Sequence, residues 1–313
     1  MDNKTTNIEE RAIEFEIRVQ GDPNNQPIII IVGTGVSLNW ALIDKDLVEL
    51  GFYVITFNAR DVIGGKLEKY WDQDGMDWNQ ELEKAGAGQP FISPYDFNDQ
   101  ADDVIRVLNS LNIKKAHIIG FSTGGTLAKL VMTRHPDRVQ SAVIAASSYN
   151  FDHQPGSDFM KIMSTLPSLI PESKVEVYIE RQQAIMGYLM ECTKDDPRRN
   201  SIEKWARDDF HHGWVDWFGI GNPRSSLSFY KWMIGENNVN EHNDALKANK
   251  VPCLVIHGKN DPMVPFEQGE LIVANTGNSK FLPHEFGHTL GPLESQKSLL
   301  EEIKKFFVDN SNI

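Results

Sequence analysis

Three residues of this chain could together transfer an acyl group: Ser122, Asp261 and His288. Ser122 sits in Gly120-Phe121-Ser122-Thr123-Gly124-Gly125. An apolar run at 116–119 precedes it, and Leu127, Leu130 and Val131 fall on adjoining helical turns after it. A Gly-x-Ser-x-Gly pentapeptide between a strand and a helix predicts a strained turn that presents the serine hydroxyl at its tip. Glycine suits positions 120 and 124 because strand and helix backbones approach too closely there for a Cβ. A serine is a poor nucleophile until a base takes its proton. His288, in Phe281-Leu282-Pro283-His284-Glu285-Phe286-Gly287-His288, supplies a base. Asp261, in Val255-Ile256-His257-Gly258-Lys259-Asn260-Asp261-Pro262, supplies a carboxylate to orient it. Each has a plainer reading: Asp261 as a turn cap before Pro262, and His284 as a competing base, expected within its strand or at its exit.

These side chains need a scaffold that brings distant segments to one edge. Residues 13–19 alternate apolar and polar, Gly21-Asp22-Pro23-Asn24-Asn25 is a turn, and Pro27-Ile28-Ile29-Ile30-Ile31-Val32 is a continuous run, apolar on both faces. The two runs read as a hairpin whose second strand is central and covered on both sides. A helix at 44–50, a strand at 52–57, an amphipathic helix at 95–111 and strands at 139–146, 252–256 and 279–282 follow, with a closing helix at 299–308. This alternation predicts an α/β fold with a doubly wound, mostly parallel sheet, whose loops converge at the carboxyl ends of the strands. Asp99, Asp102 and Asp103 are expected on the solvated face of the 95–111 helix.

The segment 148–250 interrupts the alternation with helical patterns; Val175, Tyr178, Ile179, Met186, Leu189 and Met190 share one face. It is expected to be a helical cap inserted into a core made of 1–147 and 251–313. Its Trp205, Trp214, Trp217 and Trp232 are either the cap's own core or the lining of a pocket above Ser122. Trp205, Trp214 and Trp217, with Phe121, are the candidate substrate contacts, although Phe121 inside the elbow also suits core packing. The connection 61–94, with Trp71, Trp78, Asp72, Asp74 and Asp77, is long and reads as a solvated loop. Its Asp72-x-Asp74-Gly75 has glycine too early for a calcium loop, and His211 and His212 are adjacent rather than one turn apart, so no metal is expected.

A formal net charge of −13 argues against nucleic acid or an anionic membrane as partner. The start, Met1-Asp2-Asn3-Lys4-Thr5, has no apolar signal core, and no run reaches the roughly 20 apolar residues of a membrane span, so a cytoplasmic protein is expected. Cys192 and Cys253 are far apart and expected to be reduced. A dinucleotide site is disfavoured, because Gly33-x-Gly35 lacks the third glycine of that fingerprint.

The order Ser122, Asp261, His288 and the motifs around them resemble the α/β-hydrolase-fold serine hydrolases, over nearly the whole chain from Ile13 to Val308. His135-Pro136-Asp137-Arg138-Val139 resembles the family's helix-end segment, and Gly287-His288 its histidine loop. The 95–113 helix, the elbow and Gly287-His288-Thr289-Leu290-Gly291-Pro292 are similar to aclacinomycin methylesterase-like enzymes. Gly120-Phe121-Ser122-Thr123-Gly124-Gly125 also resembles cofactor-free haloperoxidases.

The resemblance implies Ser122 as nucleophile, His288 as general base and acid, and Asp261 as its orienting partner. It also implies oxyanion-hole N–H groups from Thr123 and from the loop at Val32-Gly33-Thr34-Gly35. There Thr34 is the first choice and Gly33 the second, since Val32 stands where the family usually has histidine. The expected activity is hydrolysis of a carboxylic ester, or a related acyl bond, of a small to medium, largely apolar molecule without a cofactor. Lactone opening, C–C cleavage, perhydrolysis or a non-hydrolytic ligand sensor on the same fold are the alternatives. Haloalkane dehalogenation would need a carboxylate in place of Ser122.

Overall fold

The computed structural model describes residues 2–8, 13–33, 38–60, 77–150, 157–166, 174–211, 223–235, 238–289 and 297–311. Strands β1 (Asp2–Ile8), β2 (Ile13–Gln20) and β3 (Pro27–Ile31) are followed by a short 3-10 turn at Leu38–Trp40, helix α1 (Asp44–Glu49) and β4 (Tyr53–Phe57). Helices α2 (Trp78–Gly86) and α3 (Phe97–Ser110) lead into β5 (Ala116–Phe121), α4 (Thr123–Arg134) and β6 (Val139–Ala145). Among the described residues, five helices then come before the next strand: α5 (Ser157–Thr165), α6 (Val175–Leu189), α7 (Arg198–His211), α8 (Pro223–Ile234) and α9 (Asn238–Lys247). The chain closes with β7 (Cys253–Gly258), α10 (Phe266–Ala274), β8 (Ser279–His284) and α11 (Lys297–Asp309).

The eight strands form one sheet in the order β1-β2-β4-β3-β5-β6-β7-β8, parallel from β4 to β8 and antiparallel at β1 and β2. The α/β sheet expected from the alternation is therefore present, but the expected β2–β3 hairpin is not. β2 pairs with β1 and β4, and β3 lies between β4 and β5. Composition explains the difference: Ile28, Ile29, Ile30 and Ile31 are all buried, so β3 needs cover on both faces and takes a central place. One face packs Ile29 and Ile31 with α3 and α4, including Val104, Leu108, Leu127 and Val131. The other packs Ile28 and Ile30 with Leu47 of α1 and Ile303 and Phe307 of α11.

Two expectations are corrected by the structure. Asp103 is buried, not solvated: Arg60, at the end of the β4 segment, grips both its carboxylate oxygens at 2.6 and 2.7 Å, and Arg106 donates a third hydrogen bond at 2.6 Å. Asp99 closes a capping box with Asp96 at the start of α3, and Asp102 pairs with Arg134 and His135. The 61–94 connection is not all loop. Asp77 accepts from the N–H groups of Asn79 and Gln80 and starts α2, which carries Trp78. Trp71, Asp72 and Asp74 lie outside the described residues. Both cysteines are free thiols, Cys253 buried and Cys192 partly so.

Lys129 of α4 is 1% exposed, and its ammonium donates to the carbonyl of Ser148 just past β6. Burial pushes this group down from an ordinary 10.5 to about 7, partly offset by Cys253 nearby. The unfolded chain thus binds the extra proton between these two values, and folding is favoured as pH rises through that window. Lys129→Met is expected to melt at a higher temperature than wild type at pH ~7, with the gap closing toward pH ~10, as read by thermal denaturation across pH. A gap independent of pH would mean that Lys129 keeps its proton on folding.

Candidate active site

The elbow begins where β5 meets α4. Ser122 has φ +56° and ψ −123°, a conformation costly for a residue with a side chain, and its N–H is held by the carbonyl of Ala145 at 2.9 Å. The glycine requirement is steric: a Cβ on Gly124 would lie 2.2 Å from the carbonyl oxygen of Ile31, and one on Gly120 would lie 2.5 Å from the Cβ of Ala128. Close packing of helix on strand therefore points the serine side chain off the carboxyl edge of the sheet.

The structure brings Ser122, His288 and Asp261 together. The serine hydroxyl lies 3.2 Å from His288 Nε2, in position to donate to it, and His288 Nδ1 lies 2.8 and 3.0 Å from the two Asp261 oxygens. An Nδ1–H donated to the carboxylate leaves Nε2 with a lone pair for the serine proton. Asp261 is fixed from its own loop, accepting from the N–H groups of Met263 and Val264 at 2.8 and 2.9 Å. Burial by itself would raise its pKa. The attraction of His288 and hydrogen bonds from His257, His288 and the Val264 N–H outweigh that and hold the carboxyl well below the usual range, so it is ionised when His288 needs it. The turn-cap reading of Asp261 and its pairing with His288 thus hold at once.

His257 is a neighbour that sequence reasoning did not assign. Fully buried on β7, it hydrogen-bonds the carbonyl of Val264 through Nε2 at 3.0 Å, and the same nitrogen lies 3.5 Å from Asp261 Oδ2. It therefore ties both ends of the acid loop to the strand. Only the four-residue spacing from Asp261 hinted at this. His284 ends β8 and accepts from the Phe286 N–H at 3.0 Å. Burial, then His257, push it down to about 4, so it stays neutral at ordinary pH.

The histidine loop is held by α6, one of the helices between β6 and β7. The N–H of His288 donates to the carbonyl of Leu189, the last residue of α6, at 2.8 Å. A Cβ on Gly287 would lie 2.3 Å from that same oxygen, which makes glycine the residue that lets α6 dock. Leu189 and Met190 belong to an apolar cluster that also holds Trp40, Leu42 and Met263, which joins the segment after β3 and the acid loop to α6. Gly287→Ala is expected to displace either α6 or His288 and lower kcat about 10²-fold, with a smaller change in KM. Steady-state kinetics beside a thermal melt would check this, and an unchanged kcat would show that the contact is dispensable.

Among the candidate substrate contacts, Phe121 lies edge-on to His288 with ring centroids 5.2 Å apart. Trp205 of α7 meets Trp40 edge-on at 5.1 Å. Trp232 of α8 is buried against Phe97 of α3 in the main core. Gln100 of α3 donates to Ser228 of α8 at 2.8 Å. α8 is thereby part of the flank of the sheet, whereas α6 reaches the histidine loop. Trp214, Trp217, His212 and Thr34 lie outside the described residues. Gly33 is the second residue past β3, and Thr123 opens α4. Among the described residues, no cluster of His, Cys, Asp and Glu could hold a metal ion, and no helix is long and apolar enough to cross a membrane.

A family model of the alpha/beta hydrolase fold matches residues 26–291, a span that includes all three residues of the relay and the helices between β6 and β7. The chain belongs to the alpha/beta hydrolase fold family. Rhodomycin D methylesterase DauP of Streptomyces sp. (strain C5) is 23% identical over 206 residues, covering 58% of this chain and 62% of that protein. The match thus spans less than two thirds of that relative's length. The 2-hydroxymuconate semialdehyde hydrolase of Pseudomonas sp. (strain CF600) is 24% identical over 246 residues, covering 77% of this chain and 72% of its own. Among solved structures, 2-hydroxy-6-oxo-6-phenylhexa-2,4-dienoate hydrolase from Rhodococcus sp. strain RHA1 aligns with a TM-score of 0.65 at 15% identity, covering 100% of this chain and 99% of that one. At that identity, the likeness of this alpha/beta hydrolase to the solved structure concerns the fold alone.

Proposed function

We propose that the chain hydrolyses a carboxylic ester of a small to medium, largely apolar molecule through an acyl-enzyme on Ser122. The observation that carries this reading is the unbroken relay Ser122 Oγ, His288 Nε2, His288 Nδ1 and Asp261, with steps of 3.2 and 2.8 Å. His288 Nε2 takes the hydroxyl proton as Ser122 Oγ attacks the ester carbonyl, and Asp261 stabilises the imidazolium that results. The oxyanion formed is met by the N–H of Thr123, at the positive end of α4, and by a donor from the loop that begins at Gly33. His288 then hands its proton to the leaving alcohol. Water repeats the attack on the acyl-Ser122 ester, restoring the serine and releasing the acid.

A methylesterase among the relatives supports the ester reading, and the helices between β6 and β7 are read as a cap over this site. Short-chain aryl esters and a fluorophosphonate probe test the reading. The wild-type protein is expected to turn over the esters and to take one label per chain. A protein that does neither would overturn it and favour a non-hydrolytic ligand sensor.

A further inference from the structure

Asp261 serves two imidazoles. His288 Nδ1 lies 2.8 Å from its Oδ2, and His257 Nε2 lies 3.5 Å from the same oxygen, with the side chains of His257 and Asp261 both fully shielded from water. The tautomer of His257 follows from its neighbours. Nε2 is 3.0 Å from the carbonyl oxygen of Val264, which can only accept, so Nε2 carries the proton. Nδ1 has no hydrogen-bond partner among the described residues, and a Cβ on Gly269 would lie 2.8 Å from it. The one N–H of His257 is thus within reach of a carbonyl and of a carboxylate oxygen. Val264 closes the arrangement, because its N–H donates to Asp261 Oδ1 at 2.9 Å while its carbonyl accepts from His257.

A carboxylate attracts an imidazolium in proportion to the charge its oxygens keep. Each donor facing Oδ2 spreads that charge, and at zero exposure no water screens the effect. A carboxylate relieved in this way binds the imidazolium less tightly, so the free base that accepts from Ser122 persists to lower pH. We propose that His257 is a positioning residue that acts through Asp261: it holds the carboxylate in its loop and tempers its pull on His288, extending hydrolysis toward acid. This rests on the ester-hydrolase reading above. The other groups around the pair leave that role to His257. Burial, then His257, keeps His284 of β8 neutral, and burial raises the phenol of Tyr188 on α6, so it stays protonated. Glu285 is exposed and paired with Lys259, and Glu191 is exposed beside Gly287. From α10, Phe266 and Gly269 meet the His257 ring, and neither carries charge.

The pH profile of kcat/KM on p-nitrophenyl acetate tests this. His257→Phe, or His257→Leu should the larger ring not fold, removes the donor and is expected to move the acid limb up by about 0.5–1 pH unit, a loss of about three- to tenfold in acid. His257→Gln keeps an amide N–H at about the reach of Nε2 and should return the limb to its wild-type position. A plateau that falls while the limb stays in place, or a Gln variant shifted as far as the Phe variant, would reduce His257 to packing and overturn the proposal. The low-field Nδ1–H proton of His288, read by NMR and assigned by its loss in His288→Gln, gives a measurement independent of turnover. It should move downfield in His257→Phe as the bond to Asp261 tightens. If wild type cleaves no ester but this signal moves, the hydrolase reading fails and the coupling of His257 to His288 stands. A signal that stays in place sinks the coupling.

Discussion

Ser122→Ala is expected to lower kcat/KM on aryl esters by about 10⁴- to 10⁶-fold and to abolish fluorophosphonate labelling, with the fold intact. The size of the effect follows from the relay. Removing the oxygen leaves His288 Nε2, now 3.2 Å from it, with nothing to deprotonate, and the residual rate comes from the oxyanion donors and binding alone. Folding should tolerate the change because the hydrogen bond that fixes position 122 runs through its backbone, from its N–H to Ala145. The φ of +56° is equally strained for either residue. Labelling that persists in Ser122→Ala, seen by mass spectrometry of the intact protein, would move the nucleophile elsewhere.

Asp261→Asn is expected to lower kcat about 10⁴-fold at neutral pH. The carboxylate accepts at once from His288 Nδ1 and from the N–H groups of Met263 and Val264. An amide has one accepting oxygen, and the loop N–H groups already engage Oδ1. The amide nitrogen would then face His288, selecting the tautomer whose Nε2 carries the proton and cannot accept from Ser122. Stability should change with a definite sign. The Asp261 carboxyl sits below its unfolded value in the folded chain, so its contribution is present above pH ~4 and is lost as the pH falls below that. The variant should therefore melt below wild type at neutral pH, and the two should converge in acid. A variant that keeps its rate within tenfold would show that the backbone, through Leu189, suffices to orient His288.

Much of this site was legible because it is local. The elbow is written in five consecutive residues, since the tight strand-to-helix turn and the two glycines it demands are neighbours in the chain. Asp261 and His288 could be placed because each follows an apolar strand, and parallel strands send their following loops to one edge. What escaped depends on surfaces that meet only after folding. Asp103 has the spacing of a solvated helix residue, and only the arrival of Arg60 from the turn after β4 makes it a buried ion pair. β2 reads as one arm of a hairpin because sequence shows its proximity to β3, whereas the need to cover β3 on both faces places β4 between them.

The same division holds at the candidate site. Sequence by itself singled out Ser122, Asp261 and His288 as candidates and the mostly parallel sheet that carries them, because strand periodicity and turn chemistry act over a few residues. Tertiary structure alone decided that the α6 carbonyl of Leu189 clamps His288 and that Phe121 lies edge-on to the His288 ring. Those contacts join residues up to about a hundred or more positions apart, and a backbone carbonyl leaves no mark in the identity of the residue that presents it. Gly287 is the exception: the space that the carbonyl of Leu189 requires is recorded there as a missing side chain.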